Sequence, residues 1–159
     1  MTENLKIGDT APDFSLPATG TASGEPSLSL SAFKGRKLVI FFYPKDNTPG
    51  CTTESLEFTA AAKDFDKANT AIVGVSADSL KKHDNFIAKH QLSMPLISDE
   101  DHVLLNAFGV WVEKSMYGKK FMGIERATYL ISQDGKISQI WRKVKVKGHV
   151  EAVLAAAQS

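Results

Sequence analysis

The chain has 159 residues, of which 43% are hydrophobic and 23% charged, enough to fill one ordinary globular core. Its formal net charge of +1 supplies no broad basic field, so neither nucleic acid nor an anionic membrane is expected as a partner. One cysteine, Cys51, excludes an internal disulfide as the source of stability.

The opening MTENLKIGDT lacks the apolar stretch of a secretory signal, and runs such as LVIFFY are too short to span a bilayer. A cytoplasmic location is expected. Residues 1–36 are rich in Gly, Ser, Thr and Pro, with short alternating pieces such as SLSLSAF, and are predicted to form turns and a hairpin. KLVIFFYP is apolar throughout and rich in branched and aromatic residues, which predicts a strand buried on both faces. From Thr48 the spacing turns helical, with Phe58, Ala62 and Phe65 on one stripe. TAIVGVSA, residues 70–77, is a second buried strand. DSLKKHDNFIAKHQL follows as an amphipathic helix with Leu80, Phe86 and Ile87 inward. MPLISD is a short strand, and Asp99 or Asp101 is suited to cap a helix through HVLLNAF. Residues 110–123 are predicted as a loop. ATYLISQDGKISQIWRKVKV is predicted as two strands around a turn at Asp134 and Gly135, the alternating Lys and Val of residues 142–148 forming a solvated strand face. A closing helix starts after Gly148. Strands alternating with helices, followed by a hairpin, imply an α/β fold: a central mixed β-sheet flanked by helices, in a single domain spanning residues 1–159.

Chemistry in such sheets collects at the carboxyl ends of the strands, and Cys51 lies just past the end of KLVIFFYP. In TPGCTTE, Thr48 suits the N-cap and Pro49 the first helical position, which puts Cys51 in the first turn. Unpaired N–H groups and the positive end of the helix dipole favour a thiolate there, and only the thiolate is a nucleophile. A lone cysteine is also a common small core hydrophobe, and Cys51 could simply begin the stripe that continues at Phe58. Spacing leaves both readings open.

A resemblance separates them. Pro44, Thr48 and Cys51 complete the pattern P-x-x-x-T-x-x-C, and GDTAPDFSL, FFYPKDNTPGCTTE and GIERATYLI stand in the same order as in the peroxiredoxins. The chain resembles the bacterioferritin-comigratory, or PrxQ-like, branch of those thiol peroxidases. The resemblance implies a thioredoxin-like fold with an N-terminal β-hairpin extension and a cytoplasmic antioxidant activity that reduces hydrogen peroxide and organic hydroperoxides. It implies roles for four residues: Cys51 as peroxidatic nucleophile, Thr48 orienting the peroxide, Pro44 shielding the pocket, and Arg126 favouring the thiolate. Glu54 could orient Arg126 or merely complement the helix start.

Many relatives carry a resolving cysteine five residues on or in the helix after the next strand. Leu56 occupies the first position and residues 78–92 contain none. The sulfenic acid must then be reduced by an external thiol: thioredoxin, glutaredoxin or a low-molecular-weight thiol. His83, His90, His102 and His149 lack metal-binding spacing, so neither metal nor cofactor is expected. A monomer or weak homodimer is the expected state. The aromatic, Met-containing segment around Trp111 is a candidate site for hydrophobic peroxide substituents. A thiol–disulfide oxidoreductase is disfavoured by the lack of a C-x-x-C pair, and a sulfenylation-switched binding protein is the alternative of another class.

Overall fold

The computed structural model describes residues 5–21 and 24–159; the part of the N-terminal reading that concerns residues 1–4, 22 and 23 lies outside them. Continuous apolar runs become central strands. β3 (Lys37–Phe42) sends Leu38, Ile40 and Phe42 to one side and Val39 and Phe41 to the other, all within 1% of complete burial. It pairs in parallel with β4 (Thr70–Ser76), which pairs in parallel with β5 (Leu96–Ser98). On the other flank β3 pairs antiparallel with β8 (Ala127–Ile131), and β8 with β9 (Ile137–Trp141). The expected N-terminal hairpin, β1 (Ser15–Thr19) and β2 (Ser27–Ser29), joins the sheet's edge through antiparallel pairing of β1 with β5. The result is a seven-stranded mixed sheet in the order β2-β1-β5-β4-β3-β8-β9.

Two apolar clusters cover its faces. One gathers Phe41, Phe58, Phe65, Phe86, Val150 and Val153 beneath α1 (Pro49–Ala60), α2 (Ala62–Lys67), α3 (Leu80–His90) and α5 (His149–Gln158). The other packs Ile40, Phe42, Tyr129 and Phe108 with Leu104 and Leu105 of the short α4 (Val103–Ala107). Gly74 of β4 is required by packing: a Cβ there would lie 2.7 Å from Leu96 and 2.8 Å from Phe41.

Three local expectations are corrected. The helix expected to run through Phe65 is divided at Ala61 (ψ 1°), which ends α1 and precedes α2. Residues 110–123 are not a loop but mostly a separate hairpin, β6 (Trp111–Met116) paired with β7 (Lys119–Ile124) and turning through Tyr117 and Gly118 at positive φ. Its mixed polar and apolar alternation fits ribbon faces largely open to solvent, so no clean strand pattern marks it. Residues 142–148 do not continue β9; Lys143 turns at φ 49° and Val144 N–H donates to the Arg126 carbonyl, pulling the segment toward α1. The predicted cap at Asp99 is present, its carboxylate accepting from the N–H groups of Val103 and Leu105.

Candidate active site

Tyr43 ends the buried run of β3, and the chain turns through Pro44 to Asn47 before α1 begins at Pro49. Asn47 takes the turn at φ 62°. Thr48 is the N-cap by backbone geometry (φ −88°, ψ 152°), and its carbonyl accepts from Thr52 N–H at 2.9 Å. Its side chain makes no cap bond. The hydroxyl instead donates to the Lys45 carbonyl at 2.7 Å, fastening the turn from within. With Pro49 lacking an N–H, the orphan donors of the first turn are those of Gly50 and Cys51. Pro44 is half-buried in the bend.

Cys51 is only 1% exposed and belongs to the cluster containing Phe58. The two readings left open by its spacing are thus compatible: the cysteine begins the apolar stripe and also faces a cation. Arg126, directly before β8, donates from Nη2 to Cys51 Sγ at 3.4 Å. The same guanidinium donates from Nη1 to Glu54 Oε1 at 2.8 Å. Close approach of α1 makes this possible, because a Cβ at Gly50 would lie 3.0 Å from Nη2. Burial works against the Arg126 charge, but Glu54 and the cysteine sulfur outweigh it and hold the guanidinium above its ordinary value.

Glu54 is fully buried, and burial pushes its carboxyl from 4.5 to about 7 despite the attraction of Arg126. Its second oxygen, Oε2, has no hydrogen-bond partner among the described residues and faces His149 Nε2 at 3.9 Å. His149 Nε2 also lies 2.7 Å from Thr128 Oγ1. Burial, helped by the Arg126 charge, pushes this imidazole from 6.5 down to about 4. His149 matches no metal spacing in the sequence; its one sequence signal is its position at the start of an apolar helix.

A second buried polar cluster supports the turn from below. His83 Nδ1 meets Asp46 Oδ2 at 2.7 Å and Nε2 meets the Ile97 carbonyl at 3.0 Å. Asp46 also accepts from Tyr43 Oη at 2.7 Å, and its N–H donates to Asp78 at 2.8 Å. A carbonyl can only accept, so Nε2 carries a proton, and a further proton lies between Nδ1 and the carboxylate. Asp46, Asp78 and His83 bring ligand atoms within 4.8 Å of one another, a grouping that sequence spacing did not reveal. With both ring nitrogens engaged, the cluster fits a brace between the turn and α3. Trp111 stacks on His102 at 3.8 Å and packs against the other core cluster, not that of Cys51.

Leu56, on α1 beyond Cys51, is 41% exposed. The remaining expected residues converge: Cys51, Thr48 and Arg126 surround the first turn of α1, Glu54 backs Arg126, and Pro44 lies in the bend before it. The arrangement offers a buried sulfur, a fixed cation and free backbone donors at one point, suited to attack by sulfur with charge moving onto a departing atom. Among the described residues no helix is long and apolar enough to cross a membrane.

Residues 7–140 match the model of the AhpC/TSA family. The chain is 54% identical over 149 residues to Peroxiredoxin Bcp of Xanthomonas campestris pv. campestris, covering 94% of this chain and 92% of that one. A solved structure of the bacterioferritin comigratory protein of X. campestris, from work on its alkyl peroxide reduction with trapped intermediate and ligand complexes, superposes with TM-score 0.85 at 53% identity, covering 91% of this chain and 90% of that one. A PrxQ mutant from Xylella fastidiosa superposes with TM-score 0.89 at 43% identity, covering 97% of this chain and 96% of that one.

Proposed function

This chain belongs to the AhpC/TSA family as a thiol peroxidase of the Bcp/PrxQ branch with one cysteine, and from that premise we propose that Cys51 is its peroxidatic residue. The observation that carries the proposal is the 3.4 Å contact between Arg126 Nη2 and Cys51 Sγ, with the cation held from behind by Glu54. The Cys51 thiolate attacks the terminal peroxide oxygen in line with the O–O bond. That bond breaks, sulfur is oxidised by two electrons to the sulfenic acid, and water or an alcohol leaves once the departing oxygen gains a proton. Negative charge moves from sulfur to that oxygen, so donors already aimed at the site lower the barrier without reorganising. Arg126 and the Gly50 and Cys51 N–H groups are those donors. Because Thr48 spends its hydroxyl proton on the Lys45 carbonyl, it is left with lone pairs and orients the peroxide by accepting its O–H. Pro44 keeps the approach narrow.

The relative's action on alkyl peroxides supports organic hydroperoxides beside hydrogen peroxide as substrates. The lack of any second cysteine makes the reductant an external thiol, whether thioredoxin, glutaredoxin or a small thiol. The same proposal takes residues 1–159 as one domain acting in the cytoplasm, as a monomer or weak homodimer.

The test is turnover of hydrogen peroxide and an alkyl hydroperoxide with separate thioredoxin, glutaredoxin and small-thiol reducing systems. Cys51→Ser should abolish turnover in all of them, and Arg126→Ala should slow sulfenic acid formation. Retained turnover by Cys51→Ser would remove Cys51 from its role. Stoichiometric oxidation with no reductant able to restore the thiol would favour a redox-switched binding protein.

A further inference from the structure

We infer that Cys51 and Glu54 hold one proton between them through the single guanidinium of Arg126, and that His149 and Thr128 form the buried device that lets Glu54 give it up. The inference rests on Cys51 being the peroxidatic residue. The geometry places two acids on one cation: Glu54 Oε1 at 2.8 Å from Nη1 and Cys51 Sγ at 3.4 Å from Nη2. Ionising both would leave a net negative charge in a site where Cys51 and Glu54 are shut off from water. The charged and titratable groups facing Glu54 are Arg126 from the turn before β8, His149 from α5, and Cys51 and Glu57 from its own helix. Only Arg126 is permanently positive. The stable arrangement keeps one of the two acids protonated.

Glu54 Oε2 is the independent observation. It is fully buried and unpartnered, a situation that costs free energy unless something nearby can answer it. A neutral imidazole can donate or accept at Nε2 according to tautomer, and the Thr128 hydroxyl 2.7 Å away can do either as well. When Glu54 is protonated on Oε2, its O–H meets an Nε2 lone pair. When Glu54 is ionised, Nε2 carries hydrogen toward the carboxylate and Thr128. Closing the 3.9 Å separation by less than about 1 Å makes either contact a hydrogen bond. His149 is therefore a positioning residue: it acts on the sulfur through Glu54 and Arg126.

The reaction then balances within the site. Thiolate and peroxide give sulfenic acid and an alkoxide or hydroxide, with the S–O bond forming as O–O breaks. Cys51 becomes neutral, Arg126 loses one anion, and Glu54 ionises to replace it. The proton released by Glu54 matches the one taken by the leaving oxygen, and bulk water supplies none.

The experiment counts protons. Reduced protein in weak buffer at about pH 6, below the value of about 7 for Glu54, is mixed with one equivalent of hydrogen peroxide and a pH indicator, and sulfenic acid is quantified by dimedone labelling. Wild type is expected to take up close to no protons per sulfenic acid, and Glu54→Gln close to one. His149→Phe, which removes the donor from beside the carboxylate, should move the pH dependence of uptake upward by roughly half a unit or more. Equal uptake by wild type and Glu54→Gln overturns the shared proton, and an unmoved profile in His149→Phe overturns the role of His149. Thr128→Val serves as the same test if His149→Phe does not fold. A lack of sulfenic acid at Cys51 in every protein would instead overturn the peroxidatic reading beneath it.

Discussion

Gly50→Ala separates stability from activity at a single atom. The added Cβ would lie 3.0 Å from Arg126 Nη2, tighter than an ordinary contact, and 3.7 Å from Cζ. Relief requires the guanidinium to retreat by roughly 0.5 Å, to a normal separation of about 3.5 Å. Nη2 is the atom that lies 3.4 Å from Cys51 Sγ. At an effective dielectric of about 20, opposite unit charges at that distance attract by about 4.9 kcal/mol, and by about 4.3 kcal/mol after the retreat. The loss of about 0.6 kcal/mol corresponds to roughly a threefold smaller stabilisation of the thiolate. Alanine meanwhile favours the helix by up to about 1 kcal/mol. The expected outcome is an unchanged or raised melting temperature with about threefold slower sulfenic acid formation, read by thermal circular dichroism and stopped-flow oxidation with hydrogen peroxide. Gly50→Val should lose more. An alanine variant that reacts at the wild-type rate would refute the claim that this close approach positions Arg126.

Removing one partner from the buried brace, as in His83→Ala, should cost about 3–5 kcal/mol by chemical denaturation, because the buried Asp46 carboxylate keeps only the Tyr43 hydroxyl as a donor. Excess peroxide without reductant should carry Cys51 on to sulfinic acid, read as addition of two oxygens by intact mass; clean arrest at one oxygen would show that the pocket protects the sulfenic acid. The pH dependence of stability should contain two opposed contributions. Glu54, raised from 4.5 to about 7, keeps a proton in the folded state that the unfolded chain has lost, so its contribution falls as pH rises through that window. His149, lowered from 6.5 to about 4, is protonated first in the unfolded chain, so its contribution falls as pH drops through that window. Each amounts to about 3 kcal/mol, and the two nearly cancel where they overlap. Glu54→Gln should therefore become more stable from about pH 4 to 6.5, and His149→Phe less stable from about pH 4.5 to 7, by denaturation across pH. Flat profiles in both variants would contradict the burial argument.

Local order explains how far the sequence could be read. KLVIFFYP announces a two-faced buried strand because each of its residues must be apolar for either face to pack. Thr48 and Pro49 mark the helix start because capping and a missing N–H act within one turn, and that placement put Cys51 beside unpaired donors. The P-x-x-x-T-x-x-C pattern then identified the chemistry. Contacts between distant segments had no such local mark. Arg126 reaches Glu54 across 72 positions and Cys51 across 75, and only its resemblance to a family arginine singled it out. Asp46 and His83, 37 positions apart, looked like an ordinary loop acid and a scattered histidine until α3 packed beneath the turn. The hairpin through Trp111 and Phe121 was hidden because solvent-facing ribbon surfaces impose no apolar alternation.

By itself, then, the sequence determined the type of each main strand, the start of α1, the single thiol and, on the proposed mechanism, the need for an outside thiol. Those follow from propensity, capping, spacing and a count of one cysteine. Tertiary structure decided what surrounds Cys51: that Thr48 fastens its own turn, that Gly50 admits Arg126, and that Glu54 faces His149 in the buried interior. Burial and the distance between charges set the proton affinities of these groups, and both exist only after the sheet has brought α1, β8 and α5 together.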